Sequence, residues 1–132
     1  MILVDTSVWI DFIRGRSTEV VDRLRNALDR GVEVAVTSLI YQEILQGASD
    51  ERMFRDYRSY LSGQRFLHPL EPIATYERAA RLYFECRRKD LTIRSSDDCL
   101  IAQIAVEQGV PLLHDDRDFE RIAQVAPQLK FA

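Results

Sequence analysis

The sequence is poor in the residues that many catalytic sites require. It has two cysteines, Cys86 and Cys99, without the CxxC spacing of a zinc or redox site, and two histidines, His68 and His114. It also lacks a P-loop, a GxGxxG fingerprint and a GxSxG elbow. These absences argue against a disulfide framework, a zinc site, a dinucleotide cofactor and a serine nucleophile.

Long hydrophobic runs are missing as well. No apolar segment approaches the roughly 20 residues that cross a bilayer, and the N-terminus lacks the pattern of a signal peptide. We therefore expect a cytoplasmic protein with no membrane partner. A length of 132 residues and 46% hydrophobic composition fit one packed core, so we expect a single domain over residues 1–132.

Positive charge is carried almost entirely by arginine, because Lys89 and Lys130 are the only lysines. The net charge is −3, so the chain as a whole does not attract nucleic acid. Only a local basic patch would serve that purpose.

Short β-branched runs alternate with longer amphipathic segments. Residues 2–4, 32–36 and 112–113 are typical of strands buried on both faces, and a further short strand is expected at Phe66 and Leu67. Helical periodicity covers residues 7–13, 18–30, 39–48, 51–61, 74–89, 97–108 and 118–125. The alternation predicts an α/β fold in which helices cover both faces of a mostly parallel sheet, as three α/β/α layers.

Acidic side chains follow the ends of the predicted strands or begin a predicted helix. They are Asp5, Glu43, Asp97, Asp98, Asp115, Asp116 and Asp118. In an open parallel sheet the ligand site lies beyond the carboxyl ends of the strands. Four separate segments therefore direct carboxylates toward one edge of the sheet.

Each aspartate also has a purely structural explanation. Asp5 and Asp116 suit helix N-caps, while Asp97, Asp98 and Asp118 suit the positive end of a helix dipole. Taken singly, capping is the commoner role for such residues. Periodicity does not choose between Asp97 and Asp98, because both have apolar residues three and four positions later.

Glu43 is harder to explain as a structural residue. Its helical neighbours Leu39, Ile40 and Gly47 form an apolar side. A carboxylate there should be paired, protonated or bound to a cation.

Carboxylates that converge need a compensating cation, because like charges a few ångströms apart do not all stay ionised. An all-oxygen cluster favours Mg²⁺ or Mn²⁺, and such an ion activates water and stabilises an in-line displacement at phosphorus. His114 precedes the last acidic run and is a candidate metal ligand or base. A lone histidine more commonly serves as a hydrogen-bonding neighbour.

Four segments resemble, in order and spacing, the acidic motifs of PIN-domain ribonucleases, in particular the VapC toxins of bacterial toxin–antitoxin pairs. The segments are MILVDTSVWIDF, TSLIYQEILQG, RSSDDCLIAQIAVEQG and LLHDDRDFERIA. The resemblance covers nearly the whole chain. It implies a PIN-like fold, an Mg²⁺- or Mn²⁺-dependent endoribonuclease toxin that hydrolyses RNA, a cognate VapB-like antitoxin, and a toxin homodimer.

The resemblance also implies which acids are functional. It places the catalytic positions on Asp5, Glu43, Asp98 and Asp116, and the metal ligands on Asp5, Asp98 and Asp116, with Asp118 as a less regular further ligand. The third acid belongs to a D-x-x-I-A pattern, and D-C-L-I-A sets it at Asp98 and leaves Asp97 outside.

Four residues are candidates for substrate contact. Thr6 and Ser7, beside the first acid, hydrogen-bond a carboxylate or a water on the metal, or simply begin a helix. Arg14 and Arg94 suit bidentate contacts to RNA phosphates, with solvated helix ends as the alternative.

The main alternatives are non-catalytic. A receiver-like module also has an acidic Mg²⁺ pocket, but it requires paired acids after the first strand and a nearby lysine. The second alternative is a PIN-like scaffold that acts only through protein interactions. An aromatic stripe between Met53 and Leu61 fits core packing, an antitoxin groove or a dimer interface.

Overall fold

A computed structural model describes all 132 residues as a four-stranded sheet with seven helices. The strands are β1 (Ile2–Val4), β2 (Val34–Thr37), β3 (Arg65–Leu67) and β4 (Leu112–Leu113). The helices are α1 (Thr6–Ile13), α2 (Glu19–Asp29), α3 (Ser38–Gln46), α4 (Glu51–Leu61), α5 (Pro72–Arg88), α6 (Asp97–Gln108) and α7 (Arg117–Val125). Every predicted strand and helix is present.

The sheet has the order β3-β2-β1-β4, and every neighbouring pair is parallel. Leu3 of β1 pairs with Ala35 on one side and Leu112 on the other. The predicted α/β architecture with a parallel central sheet is therefore confirmed. Because parallel strands end at the same edge, the residues after β1, β2 and β4 are brought together there.

Two element starts differ from the prediction by two residues, and both do so for local reasons. Strand β2 begins at Val34 rather than residue 32, because Gly31 has φ +73° and the Val32 amide still donates to the Ala27 carbonyl at the end of α2. Helix α5 begins at Pro72 rather than residue 74, since proline is well suited to the first position of a helix.

The core is one cluster of 26 buried residues. Helix α6 contributes a large share: Ile101, Ala102, Ile104 and Ala105 are all at most 2% exposed. The helix packs against α5 and α7, so its N-terminal turn is held firmly at the edge where the strands end. None of the seven helices combines the length and the apolar character that a membrane span needs.

The chain after α7 returns to the sheet, which the sequence did not lead us to expect. Phe131 forms an isolated parallel bridge with Leu112, and the Ala132 amide donates to the Leu112 carbonyl. This segment covers part of the exposed edge of β4.

Candidate active site

Asp5 lies where β1 ends and α1 begins, and its carboxylate is fixed by the first turn of that helix. Its Oδ2 accepts hydrogen bonds from the Ser7 hydroxyl at 2.7 Å and the Ser7 amide at 3.2 Å. The residue is buried, and burial raises the pKa of Asp5 even though the two hydrogen bonds oppose the shift. Asp5 is therefore an N-cap, as its position allowed, and also a rigid buried acid.

Glu43 projects from the second turn of α3 toward the same edge. Its Oε1 accepts a hydrogen bond from the Thr6 hydroxyl at 3.2 Å, and no arginine or lysine pairs with it. Burial and the charge of Asp5 raise the pKa of Glu43. The acid on the apolar side of the helix is thus hydrogen-bonded, and it gives up its proton less readily than a free glutamate does.

Asp97 and Asp98 occupy different environments at the start of α6. Asp97 is exposed, whereas Asp98 is half-buried and accepts no side-chain ion pair. Burial, followed by the charges of Asp5, Asp116, Asp118 and Glu43, raises the pKa of Asp98 to about 8. Of the two, the structure brings Asp98 into the group of carboxylates.

Asp116 and Asp118 begin α7 and share an arginine. Asp116 caps the helix through Oδ1, which accepts from the Asp118 amide at 2.9 Å and from Arg94 Nη2 at 2.7 Å. The Asp118 side chain is only 1% exposed. Its Oδ2 accepts from the Arg94 amide at 2.9 Å, and its Oδ1 accepts from Arg121 Nη1 at 2.7 Å. Both acids are therefore fixed in place by arginine.

Carboxylate oxygens of Asp98, Asp116 and Asp118 lie within 4.8 Å of one another. Oxygens bound to one Mg²⁺ or Mn²⁺ at about 2.0–2.2 Å are separated by up to roughly 4.4 Å, so small side-chain movements close the cluster around an ion. The donor set is purely carboxylate, which these hard ions prefer. The residues present therefore fit a divalent ion. Asp5 lies outside this trio, but its charge acts on both Asp98 and Glu43.

His114 supports the loop that carries Asp116. Its Nδ1 accepts from the Asp116 amide at 3.1 Å, and its ring packs 5.2 Å from Phe119 and 4.5 Å from Phe131 between ring centres. Burial lowers the pKa of His114. This geometry is that of a hydrogen-bonding neighbour, the commoner of the two roles considered.

The candidates for substrate contact are placed differently from one another. Thr6 and Ser7 donate their hydroxyls to Glu43 and Asp5, and Arg94 pairs with carboxylates. Arg14 is exposed at the far end of α1, about 13.5 Å from Asp5 along the helix axis. The structure does not bring Arg14 to the carboxylates.

Three ion pairs of the site were not predicted from the sequence. Arg121, which holds Asp118, follows it by three positions on α7, the spacing of helical ion pairs. The pair of Arg121 with Asp118 could therefore have been predicted from the spacing of the two residues. The Arg94 pairs with Asp116 and Asp118 join residues more than 20 positions apart and have no such signal.

Residues 2–125 match the family model described as PIN domain. This chain belongs to the PIN-domain family. It is 32% identical over 126 residues to VapC ribonuclease Mb1587 of Mycobacterium bovis and to ribonuclease VapC11 of Mycobacterium tuberculosis. The match covers 95% of this chain and 93% of each relative. The recognised resemblance to VapC-type PIN domains is confirmed.

Solved structures share the fold of this PIN domain. A chain of VapBC2 from Rickettsia felis, bound to a DNA fragment from its promoter, gives a TM-score of 0.74 at 19% identity. A chain of VapBC-1 from nontypeable Haemophilus influenzae gives 0.74 at 20% identity. The alignments cover 100% of this chain and 98% and 97% of the other two. At these identities the likeness concerns the fold alone.

We expect the stability of this PIN domain without metal to fall as pH rises from 6.5 to 8. An acid with a raised pKa binds more protons when folded than when unfolded, so its contribution is lost as pH passes its folded pKa, about 8 for Asp98. The lowered pKa of His114 makes the stability rise with pH instead. That contribution is complete above the ordinary histidine pKa of 6.5. The free energy of unfolding should fall by about 1 kcal/mol over this range. One titrating group changes it by at most about 1.4 kcal/mol per pH unit, and solvent screening of the half-buried Asp98 carboxyl keeps the change below that limit.

Urea unfolding in EDTA at pH 6.5, 7.25 and 8 measures this fall. The same series on Asp98→Asn should be nearly flat, whereas Asp97→Asn should follow the unmodified protein. A rise in stability over this range would contradict the assignment of a raised pKa to Asp98.

Proposed function

We propose that this PIN domain is an Mg²⁺- or Mn²⁺-dependent endoribonuclease, the toxin of a type II toxin–antitoxin pair, which hydrolyses RNA phosphodiester bonds in the cytoplasm. The observation that carries the proposal is the convergence of Asp98, Asp116 and Asp118 within 4.8 Å, with the buried Asp5 beside them. The relatives named VapC ribonuclease, 32% identical over nearly the whole chain, support the reaction class.

The proposed roles follow from the position of each acid. Asp98, Asp116 and Asp118 would hold the ion together with Asp5, and the ion when bound supplies a Lewis acid that activates water and stabilises charge on phosphorus. Glu43, whose pKa is raised by burial and by the charge of Asp5, holds a proton to higher pH than an ordinary glutamate and is suited to proton transfer.

Hydroxyl groups and arginines complete the proposed site. Ser7 and Thr6 orient Asp5 and Glu43, as their hydrogen bonds indicate, and we propose that they also contact the substrate phosphate. Arg94 and Arg14 are the proposed RNA contacts, since guanidinium groups bind phosphate oxygens in pairs. Arg14 would contact a nucleotide distant from the scissile bond.

The proposed protein partner is a VapB-like antitoxin. A groove of about 430 Å³ between α1 and α4 is lined by Phe12, Ile13, Met53, Tyr57 and Tyr60. Tyr57 belongs to the core, while Tyr60 is 42% exposed, so the aromatic stripe of α4 serves packing and also presents an apolar surface. The solved VapBC complexes that share the fold support such a partner.

A homodimer is the second proposed assembly. Exposed apolar side chains on α5 support it, since Ile73 is 80% and Tyr76 57% exposed. Sedimentation of the partner-free protein would decide between a monomer and a dimer.

The proposed activity is tested with purified protein freed of any partner. End-labelled single-stranded and stem-loop RNAs are incubated with Mn²⁺ or Mg²⁺, and we expect cleavage that EDTA abolishes. Asp5→Asn should lower the rate by about 100-fold or more, because it removes a charge beside the proposed metal. Arg78→Gln, on the exposed side of α5, is the control and should cleave normally.

The other outcomes separate the alternatives. Cleavage that persists in EDTA or in Asp5→Asn would contradict a metal-dependent PIN nuclease. No cleavage of any RNA, together with no calorimetric binding of Mn²⁺, would favour a non-catalytic PIN scaffold that acts through protein interactions.

A further inference from the structure

Arg94 is one of two arginines in contact with the proposed metal site. Its Nη2 lies 2.7 Å from Asp116 Oδ1, and its Nε lies 3.4 Å from Asp118 Oδ2. The guanidinium thus bridges two of the three carboxylates that cluster within 4.8 Å. The guanidinium therefore offsets the negative charge of Asp116 and Asp118, as a bound metal cation would.

Asp116 and Asp118 differ in how far the neutralisation of their charge depends on Arg94. Asp118 has a second cation, because Arg121 Nη1 lies 2.7 Å from its other oxygen. Asp116 has only Arg94. Asp116 Oδ1 accepts both the Arg94 guanidinium and the Asp118 amide, so a divalent ion that binds this oxygen would have to displace the guanidinium.

The Arg94 side chain can leave this position without unfolding the loop. It is 70% exposed, whereas the Arg94 amide donates to Asp118 Oδ2 at 2.9 Å and keeps the backbone in place. That backbone bond persists when the side chain is changed. Asp118 therefore anchors the loop, and the guanidinium is the exchangeable part.

We propose that Arg94 is a positioning residue that acts as a built-in counter-cation: its guanidinium pairs with Asp116 and Asp118 in the metal-free protein and competes with the divalent ion for Asp116. This inference rests on the proposed function, since it concerns the regulation of the same metal site. By linkage, any group that stabilises the metal-free arrangement weakens the apparent affinity for the ion. Arg94 thus sets the Mn²⁺ or Mg²⁺ concentration at which the site is filled.

The test is isothermal titration of Mn²⁺ into the partner-free protein. We expect Arg94→Gln to lower the dissociation constant for Mn²⁺ by about five- to tenfold, the lower end of the range in which coupling between sites usually falls. Arg94→Lys keeps the charge but loses the planar fork, so its affinity should lie between those of Arg94→Gln and the unmodified protein. Arg78→Gln removes one exposed positive charge elsewhere and should change nothing.

Arg121→Gln separates the loss of an arginine that bridges two acids of the cluster from the loss of an arginine that pairs with one of them. It removes the same charge near the cluster, but Arg121 pairs only with Asp118, so its effect on Mn²⁺ affinity should be clearly smaller than that of Arg94→Gln. An equal gain in both variants would reduce the effect to net charge and overturn the proposal. So would an unchanged or weaker affinity in Arg94→Gln with an unaltered melting temperature.

RNA cleavage is measured in parallel on the same preparations. If the unmodified protein cleaves RNA with metal but Arg94→Gln binds Mn²⁺ no more tightly, the inference about Arg94 fails and the nuclease function stands. If no variant binds Mn²⁺ and none cleaves, both fail.

Discussion

Replacing Asp98 by Asn should lower metal-dependent RNA cleavage by about 1,000-fold, while Asp97→Asn should stay within about threefold of the unmodified protein. Only Asp98 has its carboxylate in the cluster with Asp116 and Asp118. The loss of one ligand charge from a metal-assisted displacement is worth several kcal/mol of transition-state stabilisation. Asp97 is exposed, and its main influence on the site is to raise the pKa of Glu43.

The pair of variants is well matched, because both change one carboxylate to an amide within the first turn of α6. Single-turnover cleavage in saturating Mn²⁺ compares them, and thermal melting in EDTA checks the fold. Asp98→Asn should melt no lower than the unmodified protein, since it removes a carboxyl whose charged form is disfavoured. If Asp97→Asn were inactive and Asp98→Asn active, the third acid would be misplaced by one residue.

Mn²⁺ affinity should rise steeply with pH between about 6 and 8 and then level off. Burial and neighbouring acids raise the pKa of Asp98 to about 8, so below that pH the carboxyl must lose a proton before it binds an ion. One proton released for each ion gives a limit of tenfold per pH unit. Because the carboxyl is still half protonated at pH 8, the affinity there should exceed that at pH 6 by about 50-fold.

Proton release is measured directly by titrating Mn²⁺ at pH 7 in buffers of different ionisation enthalpy. We expect close to one proton for each ion in the unmodified protein and in Asp97→Asn, and markedly fewer in Asp98→Asn, whose binding should also be weak. An affinity independent of pH, with no proton release in the unmodified protein, would show that Asp98 is already ionised in the free site.

Much of the fold follows from local sequence pattern. The β-branched run at residues 2–4 and the Leu112–Leu113 pair are strands as predicted, and α4 and α6 have the predicted bounds. Short apolar runs separated by amphipathic segments permit few arrangements other than a parallel sheet covered by helices. The boundaries that shifted, at Val34 and Pro72, depend on turn and cap geometry that spans only a few residues.

The order of the acidic segments, and their positions after strands, were determined by the sequence alone, because strand ends in a parallel sheet share one edge. Only the tertiary structure shows that Asp98, and not Asp97, lies in the cluster of carboxylates. Neighbouring residues on a helix point about 100° apart, so the way α6 packs against the sheet determines which of them faces the cluster. The tertiary structure also decided the partners of each carboxylate, such as Thr6 for Glu43 and Arg94 for Asp116. These contacts join residues more than 20 positions apart, and no local pattern records which of the arginines the folded chain brings to the site.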